Sequence, residues 1–395
     1  MEKCIAPMRS HIIVLSLLVA LVSINAGCGS PGSGTGDAGT HDHTGDDAGA
    51  QPDAGTSPDA GTDPDAGTPV YDGPPIVETP EMWTWVPFPD SVCGYGSSTG
   101  LAINPTSRST DVFIFMNGGG ACWEENTCFG FPPVLPKPTA DYLAGYGSAD
   151  FFAPGGFTSA FAVNRDEPTN PFKDMSYVFI PYCTGDVHAG DAIRTYGNRP
   201  PVHHKGAKNL EAFLERLVPT FPDATRIFLG GSSGGGFGAQ LNYERVANAF
   251  PNAEVHVFAD SAQIINPNPL YMSAWLDSWN VTLPAGCAGC DTNFALYPCY
   301  LATTYTDRRF ALTAYDRDYV LAPFNGLPEA EFQARTLALL ETCYDPSQSS
   351  RYFLLSAANK HTMLGELNTL VAPDGTSLLT FTTNFVSGSN WSSAR

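Results

Sequence analysis

Leu229-Gly230-Gly231-Ser232-Ser233-Gly234-Gly235-Gly236 follows a short apolar run, Arg226-Ile227-Phe228-Leu229, and precedes a stretch in which Phe237, Leu241 and Val246 share one helical face. The run reads as a buried strand, the glycines as a tight turn and the remainder as a helix. That order is a nucleophile elbow: the serine sits on a strained turn with its Oγ free, and neighbouring glycines let the chains approach closely. The helix N-terminus behind it offers N–H groups and the positive end of a dipole to an oxyanion. Two registers satisfy Gly-x-Ser-x-Gly, centred on Ser232 and on Ser233. Ser233 is favoured, since glycines 234–236 follow it where the helix must pack close. A phosphate-cradling loop would need a Lys-Ser/Thr pair after the glycines, and none follows.

Working outward, apolar runs at 112–116, 177–180, 227–229, 255–258, 310–313 and 352–355 read as strands of a parallel sheet. Leu210, Phe213, Leu214, Leu217 and Val218 recur at helical spacing between the second and third of these. Phe332, Thr336, Leu339 and Leu340 outline another helix before the last strand. The alternation predicts an α/β-hydrolase-like, doubly wound and mostly parallel sheet, whose sites lie at the carboxyl ends of the strands. The aromatic-rich segment 264–306, with three cysteines, is expected to form a cap region over the site.

Candidate catalytic groups fall at those strand ends. The first strand runs into Asn117-Gly118-Gly119-Gly120-Ala121-Cys122-Trp123. Backbone N–H groups of Gly119 or Gly120, with that of Gly234, are expected to form an oxyanion hole. In this fold the triad runs serine, acid, histidine, and only His256 and His361 follow Ser233. His256 lies inside an apolar strand and reads as a core residue, so His361, just after the last strand, is the expected base. His188 precedes the serine and reads as a pocket residue. Asp316, directly after the strand ending Thr313-Ala314-Tyr315, is the expected acid, ahead of Asp318 and Asp307.

The N-terminal part is of another kind. Lys3 and Arg9 precede an apolar run, 12–24, too short to span a bilayer as a mature helix. Asn25-Ala26-Gly27-Cys28-Gly29 then reads as a bacterial lipoprotein signal, with Asn25 where an aliphatic residue is more usual. Residues 1–27 are therefore expected to be a signal peptide. Cys28 is the expected lipid anchor, holding the protein to the outer membrane or cell surface; an ordinary secretory signal would leave it secreted. Residues 28–70 carry a Pro-Asp-Ala-Gly-Thr repeat with almost nothing to bury, and read as a disordered linker. Residues 71–395 form the expected catalytic domain.

The formal charge of −20 makes nucleic acid an improbable partner, and a polyanionic substrate would need a local basic patch. Eight cysteines remain beyond Cys4 and Cys28, an even number that suits disulfides in an exported chain. Cys122 and Cys128 flank a short loop after the oxyanion glycines and are expected to pair. A zinc ribbon at Cys287, Cys290 and Cys299 lacks a second Cys-x-x-Cys.

These residues together resemble the pectin acetylesterase family, which includes the animal carboxylesterase Notum, over roughly 82–391. The glycine-rich loop ending in Cys122 resembles the family's oxyanion motif, and Tyr182-Cys183-Thr184-Gly185-Asp186 its Tyr-Cys-x-Gly-Asp strand end. The elbow from Gly231 to Gly236 is similar to its Gly-Ser-Ser-Ala-Gly-Gly, Ala314-Tyr315-Asp316 to its acid motif, and His361 to its late histidine. Ala121 replaces a family tryptophan, and Thr362 a cysteine of the plant members. The resemblance implies a Cys93–Cys183 bridge, which leaves Cys287, Cys290, Cys299 and Cys343 with three open pairings. It implies a serine carboxylesterase that removes acetyl groups from pectin or another acetylated carbohydrate, with no metal or organic cofactor, as a monomer. Longer acyl esters are the nearest alternative. A catalytically idle surface-binding lipoprotein is the rival from another class, against which the complete triad counts.

Overall fold

The computed structural model describes residues 71–395; the expected signal peptide, Cys28 and the linker lie outside the described residues. Ten strands run in chain order: β1 (Thr84–Phe88), β2 (Thr99–Asn104), β3 (Val112–Met116), β4 (Ser176–Ile180), β5 (Ala192–Arg194), β6 (Val202–His204), β7 (Arg226–Ser232), β8 (Glu254–Asp260), β9 (Phe310–Tyr315) and β10 (Ser350–Leu355). Eight of them form one sheet in the order β1-β2-β4-β3-β7-β8-β9-β10, and β5 and β6 make a separate hairpin. From β4 through β10 every neighbouring pair is parallel, whereas β2 is antiparallel to both β1 and β4.

Both faces of the central strands are buried, and the two faces differ in chemistry because side chains alternate along a strand. Val112, Ile114 and Met116 of β3, with Ile227 and Leu229 of β7, join an aliphatic layer with Leu210, Phe213, Leu214 and Leu217 of the helix Gly206–Thr220. Phe113, Phe115, Phe228 and Phe258 point the other way, into an aromatic layer closed by Phe381 and Phe385 of the helix Leu378–Ser387. Each such side chain, fully removed from water, contributes roughly 1.5–3 kcal/mol.

All six expected strands are present. The antiparallel pair β1–β2 and the covering helix Leu378–Ser387 were not foreseen: Pro87 and Gly100 weaken the strand signal, and β1 is only half buried. The single helix expected after the elbow is two, Gly234–Leu241 and Tyr243–Ala249. Asn242 interrupts them, its Nδ2 donating to the carbonyls of His188 and Gly238 at 3.0 and 2.9 Å. The break turns the expected common face apart, leaving Val246 in the core while Phe237 and Leu241 line a pocket.

Among the described residues the bridges are Cys93–Cys183, Cys122–Cys128, Cys287–Cys290 and Cys299–Cys343. Only part of segment 264–306 behaves as a cap. Its first helix, Pro269–Trp279, overhangs the strand ends, whereas the second, Leu296–Thr304, is core, with Tyr297 and Leu301 buried.

Candidate active site

β3 lies between β4 and β7, so the sheet order reverses there and a crevice opens at the carboxyl ends of these strands. Ser233 stands at that place, one residue beyond β7. Its φ of 55° is in the left-handed region, a strained conformation for a residue with a Cβ. The neighbouring glycines make the turn possible: a Cβ on Gly235 would lie 1.9 Å from the Met116 carbonyl oxygen, and one on Gly231 2.3 Å from Gly235. The turn is held because the Ser233 N–H donates to the Asp260 carbonyl at 2.8 Å. Ser232 faces elsewhere, its Oγ–H donating to the Asp260 carboxylate at 2.8 Å.

The oxyanion candidates converge on the same spot. Gly119 and Gly120 have φ of 152° and 76°, and a Cβ on Gly234 would lie 3.1 Å from the Gly120 carbonyl oxygen. Gly120, Ser233 and Gly234 share one pocket wall. Among the described residues the N–H groups of Gly119 and Gly120 donate to no backbone carbonyl. Gly234 opens a helix, where an N–H has no intrahelical partner.

His361 follows β10, and its Nδ1 lies 2.8 Å from Oδ2 of Asp318. A carboxylate accepts, so Nδ1 carries the proton, and in the neutral ring the lone pair is then on Nε2. The Asp318 carboxylate is fully buried, and its Oδ1 accepts from the N–H groups of Val320 and Leu321 at 2.9 and 3.0 Å. The carboxylate that meets His361 is thus Asp318, two residues beyond the Asp316 expected from the sequence. Asp316 still belongs to the ladder, its N–H donating to the Leu355 carbonyl at 3.0 Å, and its Oδ2 accepts from Gln333 at 2.7 Å. Asp318 lies past the end of the strand, where the chain turns back toward the imidazole.

His256 and His188 take structural parts. His256 is buried beside Phe228 and Phe385, accepts from the Arg309 N–H at 3.2 Å, and burial pushes it down to about 3. His188 is buried too, and burial lowers it; its Nε2 donates to the Asn117 carbonyl at 2.8 Å, just before the oxyanion glycines. It braces that loop instead of lining the pocket, which its neighbour Val187 does.

Ser233 opens into a cleft of about 690 Å³ of atom-free space, counting its mouth. Met272, Trp275, Leu276 and Trp279 of the cap helix face Phe237, Leu241 and Phe324 across it, and among the described residues no charged side chain lines it. The cap is fastened to the oxyanion segment: Trp279 Nε1 donates to the Cys122 carbonyl at 2.7 Å and Ser278 Oγ to the Trp123 carbonyl at 2.9 Å. Sequence reasoning did not identify these pocket residues; the spacing of Met272, Trp275, Leu276 and Trp279 along one helical face was the available signal.

A family model described as pectinacetylesterase matches residues 86–282, a span holding the elbow, the oxyanion loop and the cap helix but ending before Asp318 and His361. Palmitoleoyl-protein carboxylesterase notum1' of Xenopus laevis is 26% identical over 180 residues, 44% of this chain and 35% of that protein. Palmitoleoyl-protein carboxylesterase NOTUM of Homo sapiens is 26% identical over 181 residues, 44% of this chain and 34% of its own. The chain spans about a third of the length of these relatives. The structure of the Wnt deacylase Notum from Drosophila superposes with a TM-score of 0.56 at 18% identity, over 75% of this chain and 90% of that one, a likeness of fold.

Proposed function

Because this chain belongs to the pectin acetylesterase/Notum family, we propose that it is a serine carboxylesterase acting on esters with an apolar acyl chain. Ser233 Oγ attacks the ester carbonyl carbon while His361 Nε2 takes its proton. Asp318 holds the imidazole in the needed tautomer and offsets its positive charge. The oxyanion sits against the N–H groups of the 118–120 loop and Gly234, each donor worth roughly 3–4 kcal/mol. As the carbonyl re-forms, the bond to the alcohol oxygen breaks and the imidazolium returns the proton to the leaving alcohol. A water then attacks the acyl-serine by the same route, releasing the carboxylic acid and restoring Ser233.

The observation that carries the acyl preference is the uncharged, aromatic-walled cleft beside Ser233. A wall of this kind holds an apolar acyl chain by removing it from water. The names of the Notum relatives, palmitoleoyl-protein carboxylesterases, agree with a long-chain substrate. The family description favours a second reading, removal of acetyl groups from pectin or another carbohydrate, with the sugar outside the cleft. The acidic chain favours a neutral alcohol portion over a polyanionic one. Anchoring through a lipidated Cys28, on the bacterial outer membrane or cell surface, belongs to the same proposal and rests on the leader sequence alone.

Turnover of p-nitrophenyl esters from acetate to decanoate separates the two readings. The apolar-cleft reading expects kcat/KM to rise with chain length to octanoate or beyond. Activity confined to acetate would establish the acetylesterase instead.

A further inference from the structure

Asp260, at the carboxyl end of β8, is fully buried, and its carboxylate takes no part in the chemistry above. Oδ1 accepts from Thr313 Oγ1 at 2.9 Å and from the Met363 N–H at 2.8 Å. Oδ2 accepts from Ser232 Oγ at 2.8 Å and from the Leu364 N–H at 3.0 Å. Its own carbonyl receives the Ser233 N–H. The next residue, Ser261, accepts the Thr362 N–H on its Oγ at 2.9 Å. One dipeptide therefore grips the elbow on one side and the three residues after His361 on the other.

Three residues joined by this network hold left-handed backbones: Ser233 at φ 55°, Ser261 at 49° and Thr362 at 63°. For a β-branched threonine that conformation is a genuine outlier. Each persists only where the surroundings over-determine it. Two of the carboxylate's four partners are backbone N–H groups, one on each oxygen, so only an acceptor at both oxygens satisfies them. Burial pushes the Asp260 carboxyl up, desolvation outweighing the donors that oppose it.

We propose that Asp260 is a positioning residue that sets the distance between nucleophile and base by clamping the Ser233 turn to the 362–364 segment. An amide at this position keeps its Oδ1 but replaces the other acceptor with an NH₂, which faces donors. The clamp then opens on one side, and the imidazole and Oγ drift apart. A misplacement of about 1 Å costs on the order of 10²-fold in rate without loss of substrate affinity.

The inference rests on the esterase reading, so abolition of turnover by Ser233→Ala is established first, and the clamp is then tested by itself. Asp260→Asn is expected to lower kcat about 10²-fold with KM for the best p-nitrophenyl ester within about twofold. Should Asp260→Asn not fold, Ser232→Ala and Ser232→Thr carry the test. The alanine removes one donor and is expected to lower kcat several-fold at unchanged KM. The threonine keeps the hydroxyl and is expected to restore it. Unchanged kcat in Asp260→Asn, or in Ser232→Ala where that variant carries the test, overturns the clamp. So does a loss shared equally by Ser232→Ala and Ser232→Thr, or one that appears in KM.

Discussion

Three side chains carry the proposed chemistry, and the sequence by itself points to two of them. Ser233 follows from a strand, glycines and a helix in one short stretch, and His361 from the order in which such folds present their triad. The carboxylate facing His361 was not legible, because Asp316 and Asp318 are two residues apart and both follow an apolar strand. What separates them is where the ladder stops: Asp316 is still paired with β10, and Asp318 is free to turn and meet Nδ1 of His361. Asp318→Asn is therefore expected to lower kcat about 10⁴-fold with little change in KM, through a wrong imidazole tautomer. Asp316→Asn, whose loss disturbs the hydrogen bond to Gln333, should leave turnover near that of the parent. The reverse ranking in steady-state kinetics would return the role to Asp316. Ser233→Ala should cost roughly 10⁶-fold in kcat, and a fully active variant would sink the whole triad.

Among the elements, the strands were legible because both faces of the sheet are buried and each run is continuously apolar. The antiparallel pair of half-exposed β1 and buried β2 and the broken elbow helix were not, since Pro87, Gly100 and Asn242 act through contacts made only on folding. The bridges were partly legible: proximity along the chain suggests Cys122–Cys128, while nothing in the spacing chooses among Cys287, Cys290, Cys299 and Cys343. The bridges differ in what they should do. Cys93–Cys183 closes a separation of 90 residues and Cys122–Cys128 one of 6. By loop entropy the first is worth about 4–5 kcal/mol and the second about 2 kcal/mol. The short bridge, however, holds the peptide whose carbonyl receives Trp279 and which follows the oxyanion glycines. Replacing Cys122 and Cys128 by serine should thus lower kcat/KM strongly with a small drop in denaturation midpoint. Replacing Cys93 and Cys183 should do the opposite, and identical stability losses in the two double variants would contradict this division.

For the whole molecule, acidity should act through buried histidines. Burial pushes His256 down to about 3 and His204 to about 4, below the ordinary value near 6.5 that an unfolded chain restores. Between those limits the unfolded chain binds the extra protons, so stability is intact above about pH 6.5 and falls as the pH drops toward 3 or 4. Asp186 and Asp260, raised by burial, work in the opposite sense, so variants must be compared at each pH. His256→Asn, whose Oδ1 can accept the Arg309 N–H, should show a smaller fall in Tm than the parent between about pH 7 and pH 4.5. Equal falls would remove His256 from the acid response. The cap helix has a consequence of another order. The proposed nucleophile, acid and base follow ends of the central sheet, while one insertion between β8 and β9 supplies much of the wall the acyl chain would meet. Reaction and appetite are thus inherited on separate stretches of the same gene, and descendants of this chain can change diet by drifting within that insertion while the reaction is passed on intact.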